Sequence, residues 1–183
     1  MFAWKTALKL LGAFILLVPV IWIVTDPAGQ RWADVTLLRV MGKPAMNLDF
    51  AALSGNEDLP QLKQIYPKLD IQCDANGKPG AAELNQNCYA HIASLNRLPA
   101  RYITFYLQDG RLKMIKLSYQ AAYHEAFHQQ LSAVYGPAQM DPVASPTDKV
   151  AHWQTGPGRV VMKAQVSQKG DNQLFWLRPG YEP

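Results

Sequence analysis

The chain predicts an α+β fold: an N-terminal transmembrane helix, then one domain with an antiparallel sheet and helices packed on one face. Three patterns carry that expectation. Residues 10–24 form an uncharged apolar run. Two β-rich runs flank an Asp-Gly turn near the middle of the chain. A helical stripe followed by short β-rich segments fills the C-terminal third.

The apolar run reads LLGAFILLVPVIWIV from Leu10 to Val24, and Ala7 and Leu8 extend it past Lys9 to residues 7–24. A helix rises about 1.5 Å per residue, so a run of this length just matches a bilayer core of about 30 Å. Lys9 can snorkel to the headgroups, and Trp4 and Trp22 stand where interfacial aromatics belong. Pro19 kinks the helix without forbidding it. Residues 25–29, Thr-Asp-Pro-Ala-Gly, lack a small-x-small cleavage signature, which favours retention as a signal-anchor over 1–25. Lys5 and Lys9 before the run and Asp26 after it place the N-terminus in the cytoplasm. The expected location is the bacterial inner membrane, crossed once, with residues 26–183 forming a periplasmic domain.

That domain is long enough for one hydrophobic core. An apolar fraction of 49% with 17% charged residues describes a folded chain rather than a disordered one. The pI near 9.1 invites a nucleic-acid reading. Two of the 18 basic residues precede the apolar run, however, and the rest mix with the 14 acidic ones between Asp26 and Glu182. Without a basic stripe, no nucleic-acid partner is expected.

The only cysteines are Cys73 and Cys88, and thiols outside the cytoplasm tend to pair, so a Cys73–Cys88 disulfide is expected. No Asn-x-Ser/Thr sequon occurs, in keeping with a bacterial envelope.

Residues 26–58 have no decisive period. Asp58-Leu59-Pro60 predicts the start of a short helix, with Asp58 as cap and Pro60 in the first turn, and Pro67 ends it. A second helix is predicted over 80–96, where Leu84, Cys88, Ile92 and Leu95 line one face and His91 lies at its edge. Tyr102 to Leu107 and Leu112 to Tyr119 read as a hairpin about Asp109-Gly110, with Ile103, Phe105 and Leu107 sharing a face. Residues 121–135 form a helix stopped by Gly136-Pro137, and 138–148 read as a loop. Strands follow at Val150–Thr155, Arg159–Val166 and Leu174–Leu177, the first two joined through Gly156-Pro157-Gly158. Trp153, Phe175, Trp176 and Tyr181 gather here. Those facing inward build a core, and any facing outward form a partner-binding patch.

His124-Glu125-Ala126-Phe127-His128 satisfies H-E-x-x-H on a predicted helix. Imidazoles four residues apart share a helical face and can share a zinc ion, while the glutamate works on the bound water. Catalytic zinc needs a third protein ligand, and Asp141, Asp148, His152, Asp171 and Glu182 after His128 form no zinc-ligand motif. Tyr123, Phe127 and Leu131 make the apolar stripe of the same helix, continued by Val134 and Tyr135, with the histidines half-exposed on its flank. From Gln72, a calcium-loop pattern through Asp74, Asn76, Gly77 and Glu83 lacks the first aspartate and carries Pro79, so Asn76-Gly77 reads as a turn. None of the serines lies in a G-x-S-x-G elbow.

No catalytic residue, metal or cofactor is therefore expected. The expected role is a non-catalytic membrane-tethered module that binds another envelope protein. The alternative is a membrane-anchored zinc metallopeptidase, with His124 and His128 as ligands and Glu125 as the catalytic base.

Overall fold

A computed structural model describes residues 17–74, 86–142, 149–167 and 170–181. Helix α1 covers 17–25 and α2 covers Pro27–Val40. Strand β1 (Ala45–Met46) and a 3-10 turn (Phe50–Ala52) precede α3 (Leu59–Ile65). Then come β2 (Gln72–Cys73), β3 (Gln86–His91), β4 (Ser94–Leu95), β5 (Leu98–Pro99), β6 (Tyr102–Gln108) and β7 (Arg111–Tyr119). A 3-10 turn (Ala121–Tyr123) leads into α4 (His124–Tyr135), followed by β8 (Gln139–Pro142), β9 (Lys149–Thr155), β10 (Gly158–Lys163) and β11 (Asn172–Leu177).

Eight strands form one sheet in the order β2-β3-β6-β7-β11-β10-β9-β8, every pair antiparallel. The fold is α+β, as the order of patterns predicts. Successive side chains on a strand point to opposite faces, so the register sorts the sheet into two surfaces. One cross-strand row runs Cys88, Phe105, Ile115, Trp176, Val160, Trp153. The next runs Ala90, Ile103, Leu117, Leu174, Met162, Ala151. Every member of both rows is buried. Helices α3 and α4 cover this face. Tyr66, the cap of α3, stacks on Phe105 with centroids 6.4 Å apart, and Phe127 of α4 lies 4.5 Å from the Tyr119 ring.

The turns follow their residue chemistry. Asp109 and Gly110 both have positive φ, as a two-residue type I′ hairpin demands. Between β9 and β10, Gly156 at φ +68° precedes Pro157, and a Cβ on Gly158 would lie 2.6 Å from Trp176 Nε1. Asp58 caps α3 in a full capping box with Gln61. At Asn96-Arg97, both at positive φ, the Asn96 side chain grips the backbone N–H and C=O of Leu48, each at 2.8 Å. This turn closes a small sheet in which β4 pairs with β5 and, in parallel, with β1.

Several expectations are corrected. The described part of 80–96 is strand, not helix: β3 pairs with β6 from Gln86↔Leu107 to His91↔Tyr102. Cys88 and Ile92 are four apart, a spacing that fits a helical stripe and a strand face equally, and pairing with β6 decides between them. Within 138–148, Gln139–Pro142 is an edge strand rather than loop. The undecided stretch 26–58 contributes α2, which Asp26 caps by accepting from Ala28 N and Gly29 N. Val134, expected to continue the buried stripe, is exposed.

The disulfide is present between Cys73 and Cys88, which face each other in the β2–β3 register. The span expected over 7–24 begins in residues outside the described set, and no described helix is long and apolar enough to cross a membrane. The calcium-like pattern also falls mainly outside it, at 75–85.

Candidate functional site

Two places concentrate functional side chains: the histidine helix α4 and the second face of the sheet. On α4 the H-E-x-x-H residues diverge. His124 is buried at 6% exposure, contrary to the half-exposed flank expected of it. Its Nδ1 lies 3.1 Å from Tyr119 Oη, and the two rings stack at 6.1 Å. Nε2 has no partner of good hydrogen-bond geometry, although the nearby carbonyls of Ala164 and Lys163 favour its proton. Burial outweighs that help and, with the neighbouring His128, holds the imidazole below its ordinary pKa. His124 is therefore a neutral core side chain at pH 7.

His128 is half-buried with its ring edge-on to Trp153 at 5.1 Å, and Trp153 Nε1 donates to Ser132 Oγ at 3.2 Å. Glu125 is exposed and accepts from Gln129 Nε2 at 2.9 Å. Among the described residues no group of three His, Cys, Asp or Glu side chains is placed to hold a metal ion. The arrangement packs α4 onto the sheet: one histidine reaches Tyr119 of β7 and the other reaches Trp153 of β9.

The second face has a different character. Its central row is Tyr89, Thr104, Lys116, Phe175, Val161, His152, one residue from each of β3, β6, β7, β11, β10 and β9. All but Thr104, which is buried, are half-buried, and among the described residues every ring contact between a helix and the sheet falls on the opposite face. Aromatic rings gather at the β3–β6 end, where His91 meets Tyr89 and Tyr102 edge-on at 6.3 and 6.4 Å. His91 is thus exposed on this face rather than at the edge of the core. Lys116 Nζ lies 5.7 Å from the Tyr106 ring centroid, within cation–π range. Towards β9, an open groove of about 400 Å³ is lined by Val150, Val161, Lys163, Ser167, Gln173 and Phe175 among others. At its far side His152 lies between Asp141 Oδ2 and Gln139 Oε1, each 2.9 Å away.

The chain matches no protein-family model, and neither the curated proteins nor the solved structures contain a match. The site must therefore be read from its own chemistry.

The groove mixes the apolar Val150, Val161 and Phe175 with Lys163, Ser167, Asp171 and Gln173, and cations from Lys116, Arg159 and Lys163 share the face with aromatic rings. Interfaces concentrate this combination, with aromatic anchors at the centre and charges that set register. Of these residues the sequence marked only Phe175 for a partner-binding patch, through the aromatic run near the C-terminus, while His152 entered only as a candidate zinc ligand and His91 as the edge of a helical stripe. The signal for the rest was the residue left over on each strand once its apolar alternation is assigned inward. The row they form depends on which strands are neighbours.

Proposed function

We propose that the chain is a non-catalytic module, tethered in the bacterial inner membrane by residues 7–24, whose periplasmic domain binds another envelope protein. The observation that carries this reading is the second face of the sheet, with its row of Tyr89, Lys116, Phe175, Val161 and His152 and the adjoining groove. A partner that fits it presents an apolar side chain to the wall formed by Val161 and Phe175, with a carboxylate near Lys116. The apolar run, the lysines before it and the paired cysteines support the compartment.

A photo-crosslinking amino acid at Val161 or Phe175, used in intact cells, tests it. A discrete adduct at these positions, absent from the exposed α3 position Lys63 and lost with Lys116→Glu, is the expected result. Adducts that ignore Lys116→Glu, or that form equally at Lys63, would remove the sheet face as the binding surface.

A further inference from the structure

Helix α2 is held to the domain along one side and carries exposed apolar side chains along the other. Asp34 accepts a hydrogen bond from Tyr123 Oη, and Asp34, Leu37 and Leu38 line a shallow recess with Pro99, Ala100 and Arg101 of the domain. The helical period puts Trp32, Thr36 and Val40 opposite Asp34 and Leu38, with Arg39 at the edge beside Trp32 and Gly29, buried, between Thr36 and Val40. On this side Trp32 and Val40 are 56% and 81% exposed. Exposed apolar side chains in such a series mark an interaction surface.

The join between α1 and α2 indicates what covers it. Asp26 is extended and Pro27 opens α2, so the two helices are not one continuous rod. Gly29 packs so tightly on α1 that a Cβ would lie 2.4 Å from the Trp22 carbonyl oxygen, and the Trp22 and Trp32 rings are 6.3 Å apart. The bend leaves few loose polar groups. Thr25 Oγ1 donates to the Ile21 carbonyl at 2.7 Å and Gln30 Nε2 to that of Val24 at 2.8 Å. The Trp22–Trp32 contact joins the apolar side of α2 to α1, whose Val20, Ile21 and Val24 are more than half exposed. Arg39, exposed in the last turn, stands beside this surface.

We infer that α2 lies in the membrane interface, with Trp32 and Val40 facing the lipid boundary and the side of Asp34 and Leu38 holding the domain. This rests on the anchor reading above and extends it, because the tether becomes an elbow that fixes the domain's orientation to the bilayer. A helix of this kind buries its apolar face about 5–10 Å into the headgroup and acyl boundary, and basic residues nearby pair with lipid phosphates.

The test uses the full chain in vesicles of phosphatidylethanolamine and phosphatidylglycerol. Both native cysteines are paired, so a spin label on Val40→Cys, Trp32→Cys, Val20→Cys or Lys63→Cys is unique. Collision of the label with oxygen and with a water-soluble nickel chelate is measured. At that depth, labels at 32 and 40 are expected to lose about five-fold in chelate collision relative to position 63 while retaining oxygen collision. Chelate access at 32 and 40 equal to that at 63, with position 20 shielded, would overturn the interfacial helix and leave the anchor standing. Chelate access at position 20 as well would remove the anchor and the inference together. Shielding at 32 and 40 with spin–spin broadening between labels would assign the face to a second copy of the chain, and so overturn the lipid contact.

Discussion

Reducing the Cys73–Cys88 disulfide should loosen the domain from one edge. The bond joins residues separated by 15 positions, and a loop of that size contributes about 3 kcal/mol in the chain-entropy account. For a domain of about 150 residues, 1 kcal/mol moves Tm by about 2–4 °C, so reduction without denaturant should lower Tm by about 6–12 °C. The loss should be uneven. Among the described residues, strand β2 has two residues and pairs with β3 through Gln72↔Tyr89 and Cys73↔Cys88, followed by Asp74 N–H to the Asn87 carbonyl at 3.0 Å. Amide exchange at Cys73 and Asp74 should therefore accelerate before that of β6 and β7, which are covered on one face by α3 and α4. Differential scanning calorimetry with and without reductant, with free thiols counted, gives the magnitude. A fully reduced protein whose Tm falls by less than about 2 °C, with β2 amides still protected, would refute the reasoning.

His124 supplies a pH signature. Its folded pKa is depressed by burial, so the unfolded chain takes up the proton first as pH falls through the ordinary value near 6.5. The contribution is present above that value and lost below it, at a slope of at most about 1.4 kcal/mol per pH unit. Urea titrations at several pH values should show a shallower acid dependence for His124→Gln than for the parent chain, and identical slopes would contradict the assignment. Gly158→Ala should cost about 1–3 kcal/mol, since the new methyl would sit 2.6 Å from Trp176 Nε1 and 2.7 Å from the Leu177 carbonyl oxygen. A chemical-denaturation midpoint equal to that of the parent would show that the strands can part. Purified protein is expected to carry no stoichiometric zinc. Elemental analysis finding one zinc per chain, lost in His124→Ala, would revive the metallopeptidase alternative with Glu125 as base.

The sequence made local features legible wherever one residue type answers one local demand. Asp109-Gly110 at positive φ, Asp58 beneath Gln61, and Gly136 after Tyr135 are each decided within a few residues of themselves. The stripe of Tyr123, Phe127 and Leu131 was legible for the same reason, because helix periodicity is local. Reading failed where partners are distant. Residues 86–91 looked helical because four-residue spacing satisfies both periods, and only pairing to β6 makes them a strand. His124 looked like a flank residue because its burial comes from Tyr119 and the end of β10, which helix periodicity does not register.

By itself, then, the sequence determined the α+β class, the central hairpin, the C-terminal strands and the pairing of its two cysteines. Turn chemistry, alternation and the count of two cysteines act without knowledge of the rest of the chain. The tertiary structure alone decided the order of eight strands, and with it which side chains share a face. Tyr89 and His152 are 63 positions apart in the chain, yet they belong to one row with Lys116 and Phe175 because strand pairing carries the register across the sheet. The same packing turned one apolar side of α2 away from the domain, where no local pattern in residues 26–58 had indicated a surface.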